Sequence, residues 1–274
     1  MVISIGNCAA DTIRASEGAP GVDDMALAWR VEETCLNAWP ALRQVLFGGW
    51  VLRFSGGLTR RANSANPLGL ARTDGHGLIS GCEALYRRQR QPTIFRVPSL
   101  IGSTIDERLT ARGYSSEGHS FVLYADIAAM PAATDPAVRL SSRPTAAWFA
   151  AMAAQQRYSK EQAMLYRRIV HSLAVPAAFA ALADDDGIAA LAFGAIHDRL
   201  ICYESVITDP RGRRLGYARR VIASLAAWAR EHGVMGACLE VEAANSPALA
   251  LYDRLGFRKL HRYHYRREPP SARE

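Results

Sequence analysis

The 274-residue chain reads as an α/β protein with mixed sheets, its strand-and-helix plan laid down twice. Three observations predict this. Runs rich in β-branched and aromatic residues alternate with amphipathic helical stretches along the whole chain. The stretch Val206 to Ala218 (V-I-T-D-P-R-G-R-R-L-G-Y-A) passes from strand through a basic turn directly into a helix. The order strand, helix, Gly-aromatic, strand occurs over 94–124 and again over 239–265.

Taken in order, residues 1–22 hold Gly, Pro, Ser and Ala without periodicity and read as a loose arm. A helix begins near Asp24, with Leu27, Val31, Cys35 and Ala38 on one face, and stops at Trp39-Pro40. Trp50 to Phe54 is a strand between glycine pairs. Thr59 to Leu68 is polar and carries a proline. Ile79 to Arg90 is a short helix, Thr93 to Val97 a buried strand, and Ile105 to Arg112 a helix closed by Gly113. His119 to Tyr124 is a further strand.

Small residues and two prolines mark 127–137 as a linker. The chain thus divides into a first domain over 23–126, a second over 138–267, and a tail over 268–274. In the second, helices are expected from Pro144 to Gln156 and, capped by Ser159, on to Leu173. Ala178 to Ala183 and Ile188 to Ile196 form a hairpin around an Asp-Gly turn. Leu200 to Thr208 leads into the basic turn. The following helix is expected to bury Leu215, Ala218, Ile222, Leu225 and Ala229. Ala237 to Glu242 is a strand, Asn245-Ser246-Pro247 starts a helix carrying Ala248, Leu251, Tyr252 and Leu255, and a last strand runs from Phe257 to about Tyr265.

The composition, 49% hydrophobic and 22% charged, is that of a globular protein with a sizeable core. No apolar run approaches the roughly 18 residues of a membrane span, and no secretory signal opens the chain. Five scattered cysteines (Cys8, Cys35, Cys82, Cys202, Cys238) without a C-x-x-C pair read as reduced, buried thiols in a cytoplasmic protein. The histidines lack the spacing of a metal site or triad. A net charge of +7 without aromatic-basic interleaving disfavours nucleic acid as a partner.

Chemistry concentrates after Thr208. The first turn of a helix offers free N–H groups and a positive dipole end. Arg211, Arg213, Arg214 and Arg219 surround that position, and Gly216 allows close backbone approach. This is an anion-binding device.

These residues carry a resemblance. Arg213, Gly216 and Ala218 match the [QR]-x-x-G-x-[GA] loop of the GCN5-related N-acetyltransferase superfamily. Leu239, Glu240, Val241, Asn245, Ala248, Leu251, Tyr252, Leu255, Gly256 and Phe257 match its second signature. The W-V-L-R and T-R-R-A-N-S segments (Trp50–Arg53, Thr59–Ser64) resemble the front half of certain tandem-domain acetyltransferases of bacteria. The resemblance implies two tandem domains of this fold, each a central, mostly antiparallel sheet flanked by helices. In the second, strands four and five splay apart. Laying Gly113 on Gly256 puts Leu109 at the Tyr252 position and Gly102 at the Asn245 position, and the first half lacks the arginine-glycine loop. It therefore resembles the fold without its chemistry.

The resemblance further implies acetyl-CoA as co-substrate, no metal, and transfer of an acetyl group to a primary amine, on a small molecule or a peptide, by direct attack. Val206, Ile207 and Thr208 would line the pantetheine. Arg213, Arg214, Leu215, Gly216, Tyr217, Ala218 and Arg219 would wrap the pyrophosphate. Asn245 and Ala248 would contact the pantetheine arm, and Tyr252 would protonate the departing sulfur. Glu240 and Glu204 are the candidate general bases, with Glu242 a poorer match. Each has a plainer alternative: a core tyrosine for Tyr252, a solvent-facing or arginine-paired carboxylate for the glutamates. A silent acyl-CoA-binding or regulatory module, or a pseudo-enzyme scaffold, are the competing functions.

Overall fold

A computed structural model describes residues 22–69 and 77–270. Residues 1–21 of the expected arm, Cys8 among them, and 271–274 of the expected tail lie outside the described residues. The first half contains α1 (Val22–Ala38), β1 (Arg43–Phe47), β2 (Trp50–Phe54), β3 (Ala65–Pro67), α2 (Leu78–Arg88), β4 (Ile94–Pro98), α3 (Thr104–Ala111) and β5 (Ser115–Asp126). The second contains β6 (Val138–Ser141), α4 (Ala146–Gln156), α5 (Lys160–His171), β7 (Ala177–Asp184), β8 (Gly187–His197), β9 (Leu200–Thr208), α6 (Tyr217–Glu231), β10 (Gly236–Glu242), α7 (Ser246–Arg254) and β11 (Arg258–Arg267).

The strands form one mixed sheet in the order β1-β2-β3-β4-β11-β5-β10-β9-β8-β7-β6, flanked by helices. The closing strands have changed places. β5, the last strand of the first half, pairs antiparallel with β10 and β11 of the second. β11 in turn lies between β4 and β5 of the first half. Neither closing strand pairs with a strand of its own half, so the two halves share a single sheet.

The local sequence explains the elements. Ser159 caps α5 through a reciprocal box with Gln162, satisfying two otherwise free N–H groups. Thr145 caps α4 by accepting from the Trp148 N–H. α6 buries Val221, Ile222, Leu225, Ala226 and Ala229 at spacings of three and four, against β7, β8 and β9. On the opposite face lie α1, α4 and α5, with Trp39, Trp148, Tyr166, Phe179 and Phe193 interlocked. A separate core in the first half packs Trp50, Leu52, Phe54, Tyr86 and Phe95. α1 belongs to the first half by sequence, yet it packs on β8, β9 and β10 of the second.

Three strands escape the sequence reading. β1 has no polar–apolar alternation because all five of its residues are exposed at the sheet edge. β3 has three residues, and β6 is four residues at the other edge. Among the described residues, no helix is long and apolar enough to cross a membrane.

Candidate active site

The site begins where two parallel strands part. β9 and β10 pair only from Leu200 to Cys202 against Gly236 to Cys238. Beyond that point they share no ladder pairs, and the edge of β9 from Tyr203 to Thr208 opens toward β10. A bulge sharpens the parting. On β8, Leu191 and Phe193 are two residues apart, whereas their partners Ile207 and Glu204 are three apart. The extra residue on β9 bends the strand and resets its alternation. Ser205 takes the strain with φ +55°, and its hydroxyl shares a 2.7 Å hydrogen bond with Tyr166. Val206, Ile207 and Thr208 follow, half-buried, with one backbone edge unpaired by β10.

Side-chain alternation before the bulge places Cys202 and Glu204 of β9, and Cys238 and Glu240 of β10, on the α1 side. Buried carboxylates require partners, since an unpaired buried charge is costly. The first half supplies them. Arg61 grips Glu204 with both terminal nitrogens, one contact at 2.8 Å, and also reaches Glu240 at 3.1 Å. Arg96 of β4 holds Glu240 at 2.6 Å and, on its other side, Glu32 of α1. His261 of β11 stands 3.1 Å from Glu32, and the Arg96 guanidinium lies 3.7 Å from the centroid of the Tyr263 ring.

Burial alone would raise Glu32, but Arg96 and His261 outweigh it and hold the carboxyl at about 2. For Glu204 burial wins over Arg61, and its pKa is raised. Burial, with the neighbouring charge of Arg61, lowers Arg53 to about 10. Arg53 donates to backbone carbonyls, including Leu36 at 3.1 Å and Arg61 at 3.0 Å.

The T-R-R-A-N-S segment explains how Arg61 is aimed. Asn63 accepts from the N–H groups of Ser55 (2.7 Å) and Gly57 (2.9 Å) and donates to the Thr59 carbonyl (2.7 Å). With Arg53 holding the Arg61 carbonyl, the loop is pinned and its guanidinium projects into the wedge. The side chain of Arg61 is a quarter exposed, while those of Glu204 and Glu240 are 2% and 6% exposed.

The basic turn lies beyond the open end of β9. Asp209 caps a short turn by accepting from the Arg211 N–H at 2.9 Å, and its carboxylate pairs with the Arg211 side chain. Arg214 (φ +64°) and Gly216 (φ +77°) are both left-handed, so a helix cannot start before Tyr217. This corrects one expectation: Leu215 is outside the helix and 60% exposed, and the buried face begins with Val221. The first turn of α6 has no side-chain cap and no acidic residue. Arg213, Arg214 and Arg219 are exposed beside it and form no salt bridge among the described residues. That donor set fits a pyrophosphate.

Asn245 is the cap of α7, accepting from the Ala248 N–H at 3.3 Å. Tyr252 is 7% exposed and meets Phe257 edge-on at 5.7 Å. Burial raises its phenol well above the usual range, and the charge of Glu204 adds to the effect. The structure thus brings Glu204 of β9 and Glu240 of β10 together at Arg61 on the α1 side of the sheet, whereas Tyr252 of α7 packs in the core on the α6 side, near enough to feel the charge of Glu204. Val206 to Thr208 form the edge of β9 left unpaired by β10, and 213–219 follow it in the chain. Glu242 is exposed and paired with Arg60 at 3.1 Å. Sequence reasoning missed Arg53, Arg61, Arg96 and Glu32. For Arg53 and Arg96 the signal was a lone charge inside an apolar run, W-V-L-R-F and T-I-F-R-V, whereas Arg61 and Glu32 stand in polar stretches that carry no such signal.

Comparison with known proteins agrees with this geometry. The family model described as "Probable histone acetyltransferase Rv0428c C-terminal" matches residues 28–266. The uncharacterized N-acetyltransferase YobR of Bacillus subtilis is 24% identical over 241 residues, which cover 86% of this chain and 97% of that protein. A GCN5-related N-acetyltransferase from Kribbella flavida superposes with a TM-score of 0.67 at 16% identity, covering 92% of this chain and 98% of its own. A tandem GNAT protein from the clavulanic acid biosynthesis pathway gives 0.63 at 13% identity, covering 91% and 94%. The chain belongs to the Rv0428c C-terminal acetyltransferase family, within the GCN5-related N-acetyltransferase superfamily.

Proposed function

We propose that this protein transfers an acetyl group from acetyl-CoA to a primary amine by direct attack, with one active site per chain in the 138–267 region. The observation that carries the reading is the parting of β9 from β10 beside an uncapped, arginine-flanked helix N-terminus. A thioester brings the activated acyl carbon. The α6 N–H groups with Arg213, Arg214 and Arg219 hold its phosphates, and the free edge of β9 at Val206 to Thr208 takes up the pantetheine amides. Asn245 and Ala248 border the same arm.

The reaction forms a C–N bond and breaks a C–S bond; the amine loses one proton and the sulfur gains one. Tyr252 is assigned the donation to sulfur, because its raised pKa keeps the phenol protonated at neutral pH. Of the two carboxylates, Glu240 is gripped by two guanidiniums and Glu204 by one. Glu204 is therefore assigned as proton acceptor and Glu240 as the anchor of the ion-pair lattice. The 23–126 region carries no second site in this reading; it positions the first through Arg61.

One observation favours a second reading, a silent acyl-CoA-binding module: Arg61 ties down both carboxylates. Thiol release from acetyl-CoA across a panel of peptide and small-molecule amines separates the two. Turnover with any amine supports the enzyme. Calorimetric binding of acetyl-CoA without turnover supports the module, and no heat of binding sinks both.

A further inference from the structure

Three cysteines remote in sequence meet at one point. Cys35 comes from α1, Cys202 from β9 and Cys238 from β10, the last two being direct partners in the parallel pair. All three are buried, and their sulfurs lie within 4.8 Å of one another, with Cys35 and Cys202 at 3.8 Å. A buried cysteine packs well as a small hydrophobe, but packing alone gives three sulfurs no reason to converge. A thiolate-bound zinc has metal–sulfur bonds of about 2.3 Å in tetrahedral geometry, which sets sulfurs about 3.8 Å apart. The cluster is within about 1 Å of that spacing at every edge.

We propose that Cys35, Cys202 and Cys238 form a binding site for one soft, thiolate-preferring divalent cation of the zinc class. Soft sulfur donors select such ions over magnesium or calcium. Three metal–sulfur bonds form and three S–H protons leave to solvent, so the site gains one negative charge overall. Sulfur–sulfur contacts and burial hold the free thiols above their ordinary range, so the ion-free site is neutral. Compensation for the added charge is at hand: Arg53, Arg61 and Arg96, set against Glu32 and Glu240, line the same small cavity as Cys35 and leave one positive charge in excess. That cavity measures about 10 Å³, room for a water-sized particle and not for an organic ligand. An oxygen of Glu204 lies 3.9 Å from the Cys202 sulfur, but Arg61 already holds that carboxylate, so the three sulfurs are the donors of the site. A metal here would tie α1 of the first half to β9 and β10 of the second, at the root of the wedge. The site goes beyond the transfer reaction proposed above and is tested without it.

The test uses the full-length chain, unfolded and refolded under reducing conditions with Zn²⁺ or Cd²⁺, then passed over a desalting column. The expected result is one metal per chain by elemental mass spectrometry. X-ray absorption should show three sulfur neighbours at about 2.3 Å from zinc. Cys35→Ser, Cys202→Ser and Cys238→Ser should each weaken retention at least tenfold, whereas Cys82→Ser, in the separate first-half core, should retain the metal. Should a strand variant fail to fold, the sulfur count on the unaltered protein decides. Refolded protein without metal, a shell holding only nitrogen and oxygen, or retention unchanged by the three variants would each overturn the proposal.

Discussion

Between β3 and β4 in the first half, and between β9 and β10 in the second, the backbone makes the same passage: strand, helix, parallel strand. Both helices start behind a left-handed glycine without a side-chain cap, Gly77 (φ +86°) for α2 and Gly216 (φ +77°) for α6. The charges differ. From Leu68 to Gly77 the sequence carries Arg72 and Asp74, which cancel, whereas the approach to α6 carries Arg211, Arg213 and Arg214, with Arg219 just inside. One helix later, Leu109 is fully buried at the place taken by Tyr252. A glycine-capped helix end is therefore a geometry common to both halves, and only the one in the second half is surrounded by arginines. The first half instead sends its charges outward: Glu32, Arg61 and Arg96 all enter the lattice at the wedge.

That division of labour can be broken at its strongest point first. Arg61→Ala leaves Glu204 without its ion-pair partner and should destabilise the whole chain by about 3–5 kcal/mol, measured by urea unfolding. A loss under about 1 kcal/mol, the range of a surface pair, would show that the halves are not coupled there.

Acid should expose the same coupling. The pKa of Glu32 is depressed in the folded protein, so its contribution is full above the ordinary carboxylate range and fades as pH falls toward 2. The stability gap between the unaltered protein and Glu32→Gln should shrink from pH 5 to pH 2.5, by up to about 3 kcal/mol. A gap independent of pH would remove Glu32 from the lattice argument.

Tyr252→Phe probes what Leu109 lacks. It should reduce thiol-release kcat by about 100-fold while acetyl-CoA affinity stays within about twofold, because the ring is retained. An unchanged kcat would return Tyr252 to the role of a core aromatic. Finally, Gly216→Glu should weaken acetyl-CoA binding by about 10- to 100-fold, or about 1.4–2.7 kcal/mol, in calorimetry. Gly77→Glu, at the matching place in the first half, should leave the affinity unchanged. Equal losses in the two variants would erase the distinction between the halves.

Much of this was legible in the sequence because it is local. Periodicity and end signals placed the seven α-helices among the described residues, and the Asp-Gly turn, the Ser159 cap and the Asn245-Ser246-Pro247 start are short-range signals. The arginine-glycine turn and the α7 signature are contiguous motifs, so the open side of the wedge could be anticipated. The exchange of β5 and β11 could not, since alternation tells which face a strand buries and says nothing of its neighbours. Nor could the meeting of residues 35, 202 and 238, which depends on α1 crossing to the second half's strands. Arg53, Arg61 and Arg96 look like surface charges until their strands and loop are seen buried. The clue was reciprocal: Glu204 and Glu240 also stand in apolar runs and needed cations from elsewhere.

The exchanged strands also bear on how the chain is made. β5 ends at Asp126, but the first strand it can pair with, β10, begins at Gly236. At a synthesis rate of about 5–20 residues per second, the next 110 residues (127 to 236) take about 5–20 seconds to emerge. Throughout that interval both edges of a long strand, apolar from Phe121 to Ala125, lack their partners, a state open to edge-to-edge association. The first half must therefore wait on the ribosome for the second, and the chain's slowest contacts are the ones that join its two ends into one sheet.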